Sequence, residues 1–179
     1  RPFFALKRSG SAINKMGPFA IIGYPVKSSL SPRLFKAAYP KLSGDMYRAI
    51  ETSDAQKGWQ RIQELNITGF NVTMPFKTDF LKMADKLVPA VQQINATNLL
   101  TRRKGIWTAW NTDIAGVVNS FMEAGADPAG NNALVIGAGG AGRAAARGLE
   151  QAGATVFVAN RTPGPGLFSL EDVPSLLEK

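Results

Sequence analysis

A lysine, Lys77, follows a short apolar strand pattern over residues 69–74 and the proline that ends it. A side-chain amine can stabilise the negative charge that grows on a carbonyl oxygen, and it can donate a proton to that oxygen. A carboxylate, Asp113, follows farther along the chain and could orient the lysine and a substrate hydroxyl group. Together, Lys77 and Asp113 predict acid–base chemistry at a carbonyl group.

Each of these two residues also has an ordinary structural interpretation. Lys77 could be a solvated surface lysine, although the start of a helix is an unfavourable place for a cation. Asp113 could simply stabilise the first helical turn, an effect worth about 0.3 to 1 kcal/mol. The catalytic interpretation is favoured because further polar residues follow strand ends, where parallel sheets bind ligands. These candidate substrate-binding residues are Ser29, Ser31, Asn71, Thr73 and Asn98.

A glycine-rich turn predicts a dinucleotide site. The pattern G-x-G-x-x-G follows a predicted strand, opens a predicted helix and precedes a second strand, which is the context that the motif requires. The first glycine allows a tight turn, and the second lets backbone N–H groups approach a pyrophosphate at the positive end of the helix. Small residues can also open a helix for packing reasons alone, which is the alternative. The predicted cofactor-binding residues of the turn are Gly137, Ala138, Gly139, Gly140 and Ala141.

The residues after the second strand indicate which dinucleotide binds. An NAD site usually carries Asp or Glu about 20 residues after the turn, where the carboxylate binds the ribose 2′-hydroxyl. This chain has Asn160, Arg161 and Thr162 instead. A guanidinium can pair with the 2′-phosphate of NADP, whereas a carboxylate would repel that phosphate. NADP is therefore the predicted cofactor, with an ordinary surface arginine as the alternative interpretation.

The composition removes several other chemistries. The 179 residues include no cysteine and no histidine, which excludes disulfides, thiolate nucleophiles, ordinary zinc sites and Ser-His-Asp catalysis. The net charge of +8 suits anionic small molecules better than nucleic acid, because the basic residues are scattered and lack interleaved aromatics. No apolar run reaches the roughly 18 to 20 residues that span a bilayer. We therefore expect a cytoplasmic protein without membrane or nucleic-acid partners.

The hydrophobic pattern predicts an α/β protein. Strands are predicted at residues 19–24, 45–51, 69–74, 133–136 and 154–159, with a hairpin formed by residues 97–101 and 106–110. Helices are predicted from Ser31 as N-cap, from a capping box of Ser53 and Gln56, and at residues 114–122 and 140–152. The last strand–helix–strand unit implies a right-handed parallel crossover.

The predicted architecture is an N-terminal three-layer α/β substrate domain followed by a partial Rossmann-type dinucleotide-binding domain. Residues 1–16 carry no clear period and are predicted to be an extension or linker. Residues 17–112 form the predicted substrate-binding and catalytic domain. Residues 113–179 form the partial NADP-binding domain, because one strand–helix–strand unit cannot complete a doubly wound sheet.

Several motifs, taken in order, resemble those of the shikimate dehydrogenase family. They are Gly23-Tyr24-Pro25, Ser29-Leu30-Ser31-Pro32, Asn71-Val72-Thr73-Met74-Pro75-Phe76-Lys77, Asn98, Asn111-Thr112-Asp113, the glycine turn and Asn160-Arg161-Thr162. The resemblance implies NADPH-dependent reduction of 3-dehydroshikimate to shikimate in aromatic amino-acid (chorismate) biosynthesis. It implies that Ser29 and Ser31 hold the substrate carboxylate and that Lys77 is the acid–base group. The residues that it implies at the ring hydroxyls are Thr73, Asn98 and Asp113.

The chain also departs from the family pattern. Ser28 stands where the family often has histidine, Leu99 where it usually has threonine, and residues 163–166 where a helix normally continues. The family's remaining nicotinamide-side strands and C-terminal helix are absent, so we expect a fragment or an incompletely ordered chain. A quinate/shikimate dehydrogenase that uses NAD and a non-catalytic ligand-binding relative are the alternatives. A monomer or homodimer is expected, and the first residues permit fusion to an upstream pathway domain.

Overall fold

The computed structural model describes residues 17–42, 44–162 and 164–178, so the predicted extension over residues 1–16 lies outside the described residues. The strands are β1 (Phe19–Gly23), β2 (Tyr47–Glu51), β3 (Gly69–Val72), β4 (Lys86–Leu87), β5 (Leu99–Arg103), β6 (Ile106–Trp110), β7 (Asn132–Ile136) and β8 (Thr155–Ala159). The α-helices are α1 (Ser31–Ala38), α2 (Ala55–Glu64), α3 (Pro89–Ile94), α4 (Asp113–Glu123), α5 (Gly140–Gln151) and α6 (Val173–Leu176). Segments of 3-10 helix cover Gly44–Met46, Asp79–Met83 and Leu170–Asp172.

The first compact unit comprises the described residues up to Lys86 together with Leu99–Ala109. Its strands belong to a sheet with the order β2-β1-β3-β5-β6-β4. Strand β1 runs parallel to both β2 and β3, and β3 pairs antiparallel with β5. The parallel register places Tyr47 opposite Phe19 and Asn71 opposite Ile21, so Tyr47 and Asn71 lie on the same face of the sheet.

Helices cover both faces of this sheet. On one face, Phe35 of α1 packs on Phe19 and Tyr47, with ring centroids 5.6 and 4.9 Å apart. On the other face, Trp59 of α2 contacts Phe70, with centroids 6.3 Å apart. Because alternate residues of a strand point to opposite faces, α1 and α2 form the outer layers of the predicted three-layer α/β arrangement, which is confirmed.

Buried aromatic rings anchor the segment that carries Lys77. Phe70 and Phe80 are 1% and 0% exposed, and their rings meet edge to face at 5.4 Å. Phe80 also contacts the buried ring of Phe76 at 6.1 Å. Burial of side chains of this size stabilises a fold by roughly 1.5 to 3 kcal/mol each. Residues 76 and 80 therefore fasten the chain to the sheet on either side of Lys77.

The second compact unit comprises Leu87–Asn98 and the described residues from Trp110 onward. Strands β7 and β8 pair in parallel and α5 connects them, which confirms the predicted strand–helix–strand unit. The core between these elements contains Val135, Ala146 and Leu149. Helix α4 packs closely on α5 at Gly148. A Cβ atom at this position would collide with the carbonyl oxygen of Ile114, so the close packing requires glycine.

The division of the chain differs from the predicted boundary after residue 112. The segment Leu87–Asn98, which contains α3, belongs to the second unit. Strand β5 and most of β6, which follow it in the chain, belong to the first unit. Ile94 shares a buried apolar cluster with Ile114 and Ala144, and the guanidinium of Arg143 in α5 donates hydrogen bonds to the carbonyl oxygens of Ile94 at 2.7 Å and Asn95 at 3.2 Å. These contacts fasten the end of α3 to α5.

Two predicted helix caps are wrong by one residue. The N-cap of α1 is Leu30 and makes no side-chain cap hydrogen bond, while Ser31 is the first helical residue. The N-cap of α2 is Asp54 and not Ser53. The Asp54 carboxylate accepts the N–H groups of Gln56 and Lys57 at 2.8 and 3.0 Å. A carboxylate that accepts two N–H groups is a stronger cap than a single hydroxyl.

The chain returns to β8 after the Pro/Gly-rich loop, a feature that the sequence pattern did not predict. Phe168 forms a parallel bridge to Ala159, and its N–H donates to the carbonyl oxygen of Val158 at 2.9 Å. Residues 164–166 are not helical, as expected, and Pro163 lies outside the described residues. Across the described ranges, every helix falls short of the length and apolar character that a bilayer-spanning segment requires.

Candidate active site

The loop after β1 carries Ser29 and is held by Glu51 at the end of β2. The Oε2 atom of Glu51 accepts hydrogen bonds from the backbone N–H groups of Val26 at 3.0 Å and Lys27 at 3.2 Å. Its Oε1 atom lies 3.3 Å from the ammonium group of Lys27. These contacts, led by the N–H of Val26, lower the pKa of Glu51. The ionised Glu51 therefore ties the loop to the sheet.

We expect Glu51→Gln to destabilise the protein at neutral pH and to have less effect in acid. The folded-state pKa of Glu51 is lowered, so its ionised form stabilises the fold above the ordinary glutamate pKa of roughly 4.3 and that contribution is lost as the pH falls through the folded-state pKa. The free energy of unfolding, measured by urea denaturation at neutral pH and at acid pH, checks this prediction. Glu64→Gln, which alters an exposed pair with Arg61, is the matched control. A Glu51→Gln deficit that did not change with pH would contradict the prediction.

Ser29 and Ser31 belong to one hydrogen-bonded group, here called the serine cluster, with Tyr47 and Asn71. The Ser29 hydroxyl donates to Ser31 Oγ at 3.2 Å, and the backbone N–H of Ser31 donates to Ser29 Oγ at 3.2 Å. The Tyr47 hydroxyl donates to Asn71 Oδ1 at 2.7 Å. The Ser31 side chain also hydrogen-bonds the Tyr47 hydroxyl. The cluster therefore links β2, β3 and the start of α1 within the first unit.

Thr73 and Lys77 follow the end of β3. The N–H of Thr73 donates to the carbonyl oxygen of Ile22 at 2.9 Å, and the Thr73 carbonyl oxygen accepts the N–H of Phe76 at 3.1 Å. Both Thr73 and Lys77 are half-buried. Lys77 lies in a turn before the 3-10 helix that begins at Asp79, and not at the start of an α-helix as the sequence suggested. Its amine therefore does not oppose an α-helix dipole.

Asn98 and Asp113 are joined by a direct hydrogen bond in the second unit. The Asn98 Nδ2 atom donates to Asp113 Oδ1 at 2.7 Å and to Thr112 Oγ1 at 2.8 Å. The Asn98 Oδ1 atom accepts the N–H of Thr112 at 2.9 Å, and Asn111 Oδ1 accepts the N–H of Asp113 at 2.9 Å. Asn98 is only 8% exposed. This network fixes the carboxylate in the first turn of α4, where the helix dipole favours a negative charge.

The glycine turn has the conformation and the space that a dinucleotide site requires. Gly137 has a φ angle of +105°, which residues with a Cβ atom rarely adopt. A Cβ atom at Gly142 would collide with the carbonyl group of Gly137, so the third glycine lets α5 begin close to β7. Apart from Gly139 itself and its two neighbours in the chain, no described residue has an atom within 4 Å of a Cβ placed on Gly139. The start of α5, Gly140 and Ala141, is therefore preceded by an open turn.

The residues after β8 are attached to this turn. The Asn160 Oδ1 atom accepts the backbone N–H of Ala138 at 3.2 Å, and its Nδ2 atom donates to the carbonyl oxygen of Thr162 at 2.9 Å. The N–H of Gly137 donates to the carbonyl oxygen of Ala159 at 2.7 Å. Arg161 and Thr162 are exposed. The structure therefore brings the glycine turn and an accessible guanidinium to the same edge of the second unit.

Three side chains that hold the candidate site were not singled out from the sequence. Glu51 fastens the serine loop, Tyr47 joins the serine cluster, and Arg143 donates to the carbonyl oxygen of Ala138 at 3.0 Å as well as to α3. No short motif marks them, since each fits the ordinary pattern of its strand or helix. The strand register offers a signal for Tyr47, because it places this residue on the same face as Asn71.

Known proteins share this architecture. Shikimate dehydrogenase (NADP(+)) from Halorubrum lacusprofundi is 40% identical over 172 residues, which are 89% of this chain and 61% of that protein. The pentafunctional AROM polypeptide of Candida tropicalis is 40% identical over 148 residues, 80% of this chain and 10% of that polypeptide. The crystal structure of shikimate 5-dehydrogenase from Thermus thermophilus in complex with NADP(H) and shikimate aligns with a TM-score of 0.72 and 35% identity, covering 91% of this chain and 60% of that one.

The fold and the site define a two-domain α/β protein that pairs a substrate-binding domain with a Rossmann-type dinucleotide-binding region. The family model for the shikimate dehydrogenase substrate binding domain matches residues 21–100. The similarity to shikimate dehydrogenases extends beyond this stretch, to 89% and 91% of the chain. The chain covers 61% or less of the length of the three relatives described above.

Proposed function

We propose that the protein reduces 3-dehydroshikimate to shikimate with NADPH, as a step of aromatic amino-acid (chorismate) biosynthesis in the cytoplasm. One observation carries this proposal. The stretch that matches the substrate-binding domain of the family, residues 21–100, contains the serine cluster, Thr73, Lys77 and Asn98. A carboxylate-binding pair, hydroxyl-binding groups and an amine therefore come from one continuous family match.

The reaction assigns a role to each residue. Ser29 and Ser31 donate hydrogen bonds to the substrate carboxylate, and the ring hydroxyls are bound by Asn71, Thr73, Asn98 and Asp113. The ammonium group of Lys77 stabilises the charge that develops on the ketone oxygen and donates the proton that completes the new hydroxyl group. Asp113 accepts a hydrogen bond from a substrate hydroxyl.

The residues of the second unit fit NADP. The positive φ of Gly137 and the open space at Gly139 leave backbone N–H groups at the start of α5 able to bind a pyrophosphate. Arg161 follows β8 and is exposed, which suits a contact with the 2′-phosphate. The cofactor-binding residues are Gly137, Ala138, Gly139, Gly140, Ala141, Asn160, Arg161 and Thr162. When bound, NADPH supplies the hydride that reduces the ketone carbon.

Arg161→Ala should raise the KM for NADPH by about 10- to 100-fold, because the charge-assisted hydrogen bonds to the 2′-phosphate are worth about 1.5 to 3 kcal/mol. The KM for NADH should change little, since NADH has no 2′-phosphate. Steady-state kinetics with both cofactors measures this difference. Arg103→Ala, on the exposed hairpin of the first unit, removes the same charge and is the control. Equal effects on NADPH and NADH would remove Arg161 from cofactor selection.

Four substrate combinations test the activity itself. The purified protein is assayed with NADPH or NADH and with 3-dehydroshikimate or 3-dehydroquinate. The proposal predicts the highest kcat/KM for NADPH with 3-dehydroshikimate. Preference for NADH together with turnover of both acids would instead identify a quinate/shikimate dehydrogenase. Binding of shikimate or NADP without turnover would identify a non-catalytic relative.

Fusion to another enzyme of the same pathway is part of the proposal. The pentafunctional polypeptide of Candida tropicalis, of which the chain covers 10%, supports such an arrangement. We propose that the functional protein is a monomer or a homodimer whose partners are small molecules, without a nucleic-acid or membrane partner. Denaturing mass spectrometry of the protein purified from its source would measure the chain length, and native mass spectrometry would measure the oligomeric state.

A further inference from the structure

Arg143 binds three backbone carbonyl groups through three different nitrogen atoms. Its Nε donates to the carbonyl oxygen of Ile94 at 2.7 Å, its Nη1 to that of Ala138 at 3.0 Å and its Nη2 to that of Asn95 at 3.2 Å. Ile94 is the last residue of α3 and Asn95 is its C-cap, whereas Ala138 belongs to the glycine turn. One side chain of α5 therefore fastens the glycine turn to a neighbouring helix of the same unit.

The end of α3 suits a guanidinium group. The last carbonyl groups of a helix have no partners within the helix, and the helix dipole makes this end favourable for a cation. A guanidinium presents its donors in a planar fork of fixed geometry, which a single ammonium group cannot reproduce. With Nε and Nη2 of Arg143 bound at the end of α3, the fork directs Nη1 at the glycine turn.

The hydrogen bond to Ala138 sets the direction of the next N–H group in the chain. The peptide unit between Ala138 and Gly139 is planar, and in a trans peptide the carbonyl oxygen and the N–H hydrogen point in opposite directions. Because Arg143 binds the carbonyl oxygen of Ala138, the N–H of Gly139 is turned away from Arg143. The N–H of Ala138 is in turn bound by Asn160 Oδ1 at 3.2 Å. Both peptide units that flank Ala138 therefore have defined orientations.

This constraint matters most at Gly139. Glycine has the widest choice of backbone conformations and loses the most conformational freedom when it is ordered. Apart from Gly139 itself and its two chain neighbours, no described residue has an atom within 4 Å of a Cβ placed there, so the surroundings leave the residue room to move. Gly139 is also the N-cap of α5, at the helix start that the proposed function places against the pyrophosphate.

We propose that Arg143 is a positioning residue of the pyrophosphate site, which holds the N–H of Gly139 in the direction that a bound dinucleotide needs. This inference rests on the proposed function. Without the guanidinium, the peptide unit between Ala138 and Gly139 must be ordered when the cofactor binds, and this entropy cost weakens binding. The pyrophosphate is common to NADPH and NADH. Arg143 therefore acts on the affinity for both dinucleotides, whereas Arg161 acts on the 2′-phosphate alone.

Arg143→Met tests the proposal because it keeps an unbranched apolar side chain and removes every donor. We expect the dissociation constants for NADPH and NADH, measured by calorimetric titration, to rise by the same factor of about 5 to 30, the cost of ordering one backbone residue. The dissociation constant for 2′-AMP, which carries the 2′-phosphate and no pyrophosphate, should stay at the wild-type value. With saturating NADPH, kcat should stay within about twofold, because the turn binds the cofactor equally in the ground state and the transition state.

Arg147→Met is the matched control. Arg147 lies one turn later on α5 and also binds α3, since its Nε donates to Gln93 Oε1 at 3.0 Å. Its substitution removes the same charge and a link between the same two helices, but leaves the hydrogen bond from Arg143 to Ala138 in place. The affinity for both dinucleotides should therefore stay near the wild-type value.

Arg143→Lys separates orientation from charge. It keeps the positive charge and loses the fork, so it should still raise the dissociation constants for NADPH and NADH equally. If Arg143→Met fails to fold, this variant carries the same test. Wild-type affinity in Arg143→Lys, a matching loss of affinity for 2′-AMP, or equal effects of Arg143→Met and Arg147→Met would overturn the inference alone. A wild-type protein that binds neither dinucleotide would overturn the proposed function, and this inference with it.

Discussion

Replacement of Lys77 by alanine is expected to lower kcat for 3-dehydroshikimate reduction by roughly 10²- to 10⁴-fold, the usual range for loss of a general acid. The KM for the substrate should change much less, because the amine acts mainly on the charge that develops in the transition state. Steady-state kinetics with saturating NADPH measures both quantities. The loss would be the largest effect of any single substitution considered for this chain.

The structure allows this loss to be separated from unfolding. Lys77 is half-buried in a turn whose position is set by the buried rings of Phe76 and Phe80. Removal of the lysine side chain leaves those rings in place, so the melting temperature should change little. Lys82→Ala, in the exposed part of the following 3-10 helix, is the matched control and should retain activity. A Lys77→Ala variant with near-normal kcat would remove the lysine from the mechanism.

Asp113→Asn should lower kcat by about 100-fold or more, because a neutral amide cannot serve as the acid–base carboxylate that the proposed reaction places at a substrate hydroxyl. The fold should survive this change. In the wild type, the Nδ2 atom of Asn98 donates to Asp113 Oδ1 at 2.7 Å. An asparagine at position 113 still offers an oxygen that can accept this hydrogen bond. Loss of the charge in the first turn of α4 should cost only about 0.3 to 1 kcal/mol of stability. Steady-state kinetics and urea unfolding of the same preparation measure the change in kcat and the change in the free energy of unfolding.

Glu123→Gln provides the control for Asp113→Asn. Glu123 is the last residue of α4 and is exposed, so its neutralisation changes the charge of the same helix by the same amount. It should leave kcat unchanged. If Asp113→Asn lost stability in proportion to activity, or if it kept wild-type kcat, the carboxylate would be a helix-stabilising residue and not part of the chemistry.

The strands and the glycine turn could be predicted from the sequence because their determinants are local. Alternation and buried apolar runs locate β1, β3, β7 and β8. The G-x-G-x-x-G pattern needs only a preceding strand and a following helix, and the structure adds the physical reason, since Gly142 leaves no room for a Cβ atom beside Gly137. The three-layer arrangement follows from the same alternation once helices flank the strands.

The contacts that hold the candidate site could not be predicted, because they depend on residues far apart in sequence. Glu51 binds a loop 24 and 25 residues earlier in the chain, and Tyr47 reaches a strand that is not its neighbour in the sheet. The N-cap of α2 was misplaced because Ser53 and Asp54 are both good caps, and only geometry decides between them. The grouping of α3 with the second unit depends on contacts without a sequence pattern, namely the hydrogen bonds of Arg143 and the packing of Ile94 with Ala144.

Transfer of an isotope label tests the central claim most directly. The purified protein is mixed with 3-dehydroshikimate and NADPH deuterated at the transferable position of the nicotinamide, and the product is analysed by mass spectrometry. The account predicts shikimate that carries one deuterium at the new carbinol carbon, formed by the wild type and almost absent from the Lys77→Ala variant. Shikimate without deuterium, or equal labelled product from both proteins, would contradict it.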